Sequence, residues 1–145
     1  DEMGDEAQED AQDGAEVDAE PLLDAAALQR LHDLDPTGRN QLVRRVLLAY
    51  DASLSRLMPQ LDPGPFGLDL LAVQHVVHTL RSSSNSLGAL RLSALCAEME
   101  QRLRRGAAEA DLAAPMVVLR REMLRVQDGV QRRLSGAGTG HGGAA

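Results

Sequence analysis

Between Pro21 and Leu134, apolar residues return every third or fourth position, and period-2 alternation of β-branched residues is almost absent. That spacing gives a helix one apolar side and gives a strand none. It predicts a short helix behind Asp24, carrying Ala27, Leu28 and Leu31, and four longer ones. The second runs from about Arg39 to Met58 with Val43, Val46, Leu47, Tyr50, Leu54 and Leu57 on one face. The third covers about residues 69–84 with Leu70, Val73, Val77, Leu80 and Ser84, and Asp69 is placed to cap it. A break at Asn85-Ser86, with Ser86 as cap, leads into a fourth helix from about Leu87 to Arg105 carrying Leu92, Leu95, Met99 and Leu103. The last carries Leu112, Met116, Leu119, Met123, Val126, Val130 and Leu134. It begins or kinks at Pro115, which has no N–H to give, and ends at Gly136. Asp35-Pro36-Thr37-Gly38 and Asp62-Pro63-Gly64-Pro65 separate the first three. No such helix can bury its apolar side alone. The expected fold is therefore all-α, an antiparallel up-and-down four-helix bundle with a short additional N-terminal helix. With one Tyr, one Phe and no Trp its core must be aliphatic.

Charge divides the chain differently. Residues 1–20 hold ten Asp or Glu and no Arg, whereas residues from 21 onward hold 12 acidic and 15 basic side chains, all of the latter Arg. The organisation expected is a disordered acidic linker at 1–20, a bundle domain at 21–135 and a disordered Gly-rich tail at 136–145. A mild basic excess without a reading motif argues against nucleic acid. A single cysteine excludes a disulfide framework and multi-cysteine metal sites, and Cys96 is expected as a small buried hydrophobe. No apolar run reaches the ~18 residues of a membrane span, so direct membrane insertion is not expected.

The third helix carries a second pattern. Gln74, His78, Arg81, Ser82 and Asn85 share a face beside its apolar stripe. His78 follows inward-facing Val77 and should point sideways into solvent. Neutral imidazole is a competent nucleophile near pH 7. Arg81, three residues on, can offset the charge of a phosphoryl group, Ser82 leaves space above the ring, and Ser82 or Asn85 could donate a hydrogen bond. His75 and His78 stand at i and i+3, but no HExxH accompanies them and metal ligation is not expected. No P-loop or kinase glycine loop is visible, so ATP-dependent kinase activity of its own is not expected either.

The stretch His78-Thr79-Leu80-Arg81-Ser82-Ser83-Ser84-Asn85-Ser86-Leu87-Gly88-Ala89-Leu90 resembles the signature of histidine-containing phosphotransfer (HPt) domains: His, two residues, Lys, Gly or Ser, small polar residues, then Leu-Gly-Ala. Leu92 to Glu100 resembles the family's following helix, and the likeness spans about residues 22–134. It implies that His78 is the phosphoacceptor and that Arg81 and Ser82 stabilise the phosphoryl group. Arg81 stands where the family usually has Lys, keeping the charge and changing its shape. Gly88 matches a glycine that allows close helix packing. Gln74 and Asn85 would orient the imidazole or meet a partner, with Leu71, His75 and Arg91 completing a docking surface. The implied function is a phosphorelay intermediate, taking a phosphoryl group from a receiver-domain phosphoaspartate and passing it to another receiver aspartate. No cofactor is implied for this domain, the Mg²⁺ residing on the partner receiver. The alternatives are the phosphoacceptor domain of a chemotaxis-type kinase and a non-phosphorylated receiver- or kinase-binding adaptor. The leader and the missing initiator Met point to the C-terminal HPt domain of a hybrid sensor histidine kinase. Kinase and receiver domains would then lie in the same polypeptide. The domain itself would be monomeric and cytoplasmic, its parent anchored in the inner membrane.

Overall fold

The computed structural model describes residues 22–144, with side chains described for residues 22–136. The acidic linker expected at 1–20 lies outside the described residues, as do the side chains of the expected tail beyond Gly136. Five α-helices follow one another: α1 (Ala25–Leu34), α2 (Leu42–Leu57), α3 (Leu70–Leu87), α4 (Leu90–Arg104) and α5 (Glu109–Ala144), with a 3-10 turn at Met58–Leu61 after α2. Among the described residues there is no strand, only an isolated bridge between Gly64 and Gly67. α2 to α5 make the four-helix bundle, and α1 lies across it against α2 and α3.

The four stripes meet in one aliphatic core. Leu54, Val73, Val76, Val77, Leu80, Leu92, Cys96, Leu112, Met123, Val126 and Val130 are fully buried. Tyr50 is the one aromatic inside, and its hydroxyl is 2.7 Å from Ser84 Oγ. A buried hydroxyl pair of this kind satisfies two groups that would otherwise be orphaned, and burial raises the Tyr50 pKa. Cys96 sits on the inner face of α4, where burial, and next the charge of Glu100, push its thiol up to about 12. It is a protonated packing group, not a reactive thiol. Leu70, expected in the α3 stripe, is 39% exposed, because the first residue of the helix lies past the end of the core.

Several helix ends differ from the sequence reading, each for a local reason. α2 begins at Leu42 and not at Arg39. The carboxylate of buried Asp35 folds back to accept from Asn40 N (3.3 Å) and Leu42 N (3.1 Å), which fixes the start. Asp35→Ala should therefore cost about 1–2 kcal/mol, the scale of a lost N-cap. A lower urea midpoint at unchanged slope checks this, and an unchanged midpoint would contradict it. Asp24 precedes α1 without a side-chain capping bond, whereas the Asp69 carboxylate does accept from Ala72 N.

The expected break at Asn85-Ser86 does not occur, and Ser86 caps nothing. α3 runs on to Leu87, because short polar side chains on its exposed side interrupt no backbone bond. The helix stops at Gly88, which takes φ 88°. Ala89 N donates to Ser84 O and Gly88 N to Asn85 O, the paired bonds of a Schellman closure. α4 then starts at Leu90. α5 starts at Glu109, six residues before Pro115, and it tolerates the proline inside. It also continues past Gly136 to Ala144. Glycine weakens a helix but keeps its N–H and adds no clash, so it does not stop one as proline does.

Candidate functional site

α3 and α4 form the most extensive helix pair of the bundle. The outward side of α3 is a continuous stripe in which Leu71, Gln74, His75, His78, Ser82 and Asn85 are all exposed. The His78 side chain is 69% exposed and Leu71 is 79% exposed. Gln74 and Ser82 lie one turn on either side of His78, so the ring has a small hydroxyl neighbour above it. Asn85 lies two turns away, about 10 Å along the axis, and is a surface residue at that distance from the ring.

Across the hairpin stands a residue the sequence reading did not single out. Glu100 of α4 is almost fully buried, its side chain 8% exposed, directly against the His78–Arg81 edge of α3. Its Oε2 is 3.5 Å from His78 Nδ1 and 3.4 Å from Arg104 Nη2, and its Oε1 is 3.2 Å from Arg81 Nε. Oε1 makes no hydrogen bond of good geometry. Arg81 is itself held in place, since its backbone carbonyl accepts from Ser93 Oγ at 2.9 Å. The signal that points to Glu100 is reflection through the interhelix turn. His78 lies ten or eleven positions before Gly88-Ala89, and Glu100 lies eleven or twelve positions after it.

One carboxylate and two guanidiniums leave a local charge of +1 beside the imidazole. A doubly charged phosphoryl group is welcome there, and a second cation less so. Arg91 is not part of this cluster. It sits nine residues from Glu100 along α4, 3.6 Å from the buried carboxylate of Glu122, which also binds Arg125. Gly88, ten residues along the chain from His78, packs against the start of α1. Its carbonyl accepts from Asp24 N at 2.8 Å, and a Cβ added there would stand 2.6 Å from that nitrogen. Among the described residues no three His, Cys, Asp or Glu side chains gather in a metal-holding group.

The family model described as Hpt domain matches residues 41–129, which include both halves of the α3–α4 hairpin. The fold is similar to the crystal structure of histidine-containing phosphotransfer protein B from Pseudomonas aeruginosa PAO1. The two share 25% sequence identity with a TM-score of 0.57, over 80% of this chain and 96% of that one. No curated protein matches the chain.

Proposed function

Because the chain belongs to the Hpt domain family and is a histidine phosphotransfer intermediate of a phosphorelay, we propose that His78 is the side chain that carries its phosphoryl group. The observation that supports this is the position of the ring: exposed, on a rigid helix, with Nδ1 turned to a carboxylate and Arg81 one turn on. Nε2 is then the attacking atom. Its lone pair forms the N–P bond while the P–O bond to the donor aspartate breaks, and that bond's electron pair leaves with the carboxylate oxygen. In the second half the acceptor aspartate attacks phosphorus and the N–P pair returns to Nε2. Arg81 offsets charge on the equatorial oxygens, and Ser82 keeps the approach uncrowded.

The partners in this reading are receiver domains of response regulators. They bring the aspartate, the acidic pocket and its Mg²⁺, and this domain brings the nucleophile and a surface. The surface is the exposed stripe of Leu71, Gln74, His75, Ser82 and Asn85, while Arg91, 53% exposed and turned to Glu122 of α5, stands outside it. An apolar Leu71 among polar neighbours suits a small, transient interface. No helix among the described residues is long and apolar enough to cross a membrane. A monomeric, cytoplasmic module attached to a membrane-anchored hybrid kinase belongs to the same proposal.

Transfer from phosphorylated receivers tests the reading, with Arg81→Ala as the informative variant. It should slow acceptance roughly tenfold or more. The effect should fall short of the ~10²–10³ of a donor in a closed site, because this guanidinium is open to solvent. Circular dichroism should be unchanged. Transfer at the wild-type rate would remove Arg81 from the chemistry.

A further inference from the structure

We propose that the acidic segment of residues 1–20 docks on the end of its own bundle, seating Val17 in a groove between α1, α2 and α5 with the flanking carboxylates on Arg44 and Arg133. The segment lies outside the described residues, and the proposal rests on the surface that the described residues offer it. It does not depend on the phosphotransfer reading.

The groove is apolar inside and basic at its rim. His32, Val43, Arg44, Leu47, Arg133 and Leu134 line a cavity of about 280 Å³. Leu47 is buried, Val43 and Leu134 are half-buried, and both arginines are exposed. Among the described residues neither Arg44 nor Arg133 has an ion-pair partner, whereas Arg125 and Arg132, earlier on α5, are held by Glu122 and Asp128. The carboxylates around the groove are already engaged. Asp33 accepts from Gln29, Asp35 from the backbone of Asn40 and Leu42, and Asp51 from Gln127 and Gln131. A basic rim is therefore left without an anion of its own.

The same chain supplies that anion. Residues 1–20 hold ten Asp or Glu and no basic side chain, against a balance of +3 in the rest. Their last stretch, Glu16-Val17-Asp18-Ala19-Glu20, sets one branched apolar side chain between carboxylates, the complement of an apolar groove with a basic rim. The point where this stretch meets the bundle is built into α5. Leu22 packs on Gly129, where an added Cβ would collide with its side chain, and Asp24 N donates to Gly88 O. A glycine weakens a helix interior relative to alanine, and the seat it makes for Leu22 accounts for its presence. Arg133 lies one turn beyond Gly129, about 6 Å along the axis. The five residues from Leu22 to Val17 span at most about 17 Å, so the groove is within reach. A tether this short gives an effective concentration of ~mM, enough to populate a contact that a free peptide would hold only weakly. Docking here leaves the reactive stripe open, since Gly88, beside the exit, is ten residues or about 15 Å along α3 from His78. It also offsets a charge that would draw an acidic partner to the wrong end of the bundle.

The test is methyl NMR of the full chain with carbon-13 in Val and Leu. At low salt the Val17 methyls should show nuclear Overhauser contacts to Val43 and Leu134. These should vanish near 1 M salt, where charges are screened within about 3 Å. They should also vanish in the double variant Arg44→Gln/Arg133→Gln, while the contacts of Leu22 with α5 remain. The triple variant Glu16→Gln/Asp18→Asn/Glu20→Gln carries the same readout and alters no residue of the bundle, so it decides the matter even if the arginine variant folds poorly. Absence of the Val17 contacts in the wild type would overturn the proposal. So would contacts from Val17 to Leu71 on the α3 stripe, which would mean that the segment covers the reactive face. Contacts found only between differently labelled chains of a mixed sample would place the segment on a second copy and overturn it too.

Discussion

His78→Gln should abolish phosphoryl acceptance and leave the fold almost untouched. Glutamine occupies similar space and keeps polarity, but its amide nitrogen has no free lone pair with which to attack phosphorus. The structural loss is small because the imidazole is 69% exposed and its charged neighbour Glu100 still has Arg81 and Arg104 beside it. Exposed substitutions of this kind fall within about 0.5 kcal/mol, or roughly 2–3 °C in Tm for a domain of this size. Acid-labile labelling from a phosphorylated receiver, measured beside a thermal melt, checks both halves. Residual labelling would place the phosphoryl group elsewhere. A large fall in Tm would mean that the ring holds the bundle together.

Gly88→Ala should do the opposite, damaging the fold before the chemistry. The residue has φ 88°, a region that costs an L-residue about 1–2 kcal/mol. The new Cβ would also stand 2.6 Å from Asp24 N and 2.9 Å from Ala27 Cβ. The first of these is backbone that donates to Gly88 itself, so relief requires moving the start of α1. Together the two effects should remove about 3 kcal/mol, a Tm fall of roughly 10–20 °C. Gly106 separates them. It has φ 74° but no heavy atom within 4 Å of an added Cβ, so Gly106→Ala should show the conformational cost alone. Equal losses at the two positions would contradict the packing role of Gly88.

The contrast between these residues shows what a sequence makes legible. The stripes of α2 to α5 were readable because burial repeats with the helical period, and Val73, Val77, Leu80, Leu92 and Met99 sit in the core for that reason. The polar stripe of α3 was readable for the same reason, since one helix fixes which of its own residues are neighbours. What could not be read was anything set by a distant backbone or by the register between helices. Asp35 looks like part of a loop, yet it defines the start of α2 from seven residues away. Asn85 and Ser86 look like a turn, but helices end where a residue can adopt the left-handed region, and that residue is Gly88. The misplaced turn also hid Glu100. Reflecting His78 through Asn85-Ser86 leads to Ser93, whereas reflecting it through Gly88-Ala89 leads to Met99, the residue next to Glu100. A shift of three residues in one turn separates a site of one helix from a site of two.

The most direct measurement is to map the phosphoryl group on the wild-type chain after incubation with a phosphorylated receiver, using mass spectrometry at neutral pH with phosphorus-31 NMR. A single phosphoramidate on Nε2 of His78, lost on mild acid treatment, is the predicted result. Label on His75, on His32 or on an acid-stable hydroxyl, or no label at all, would contradict it.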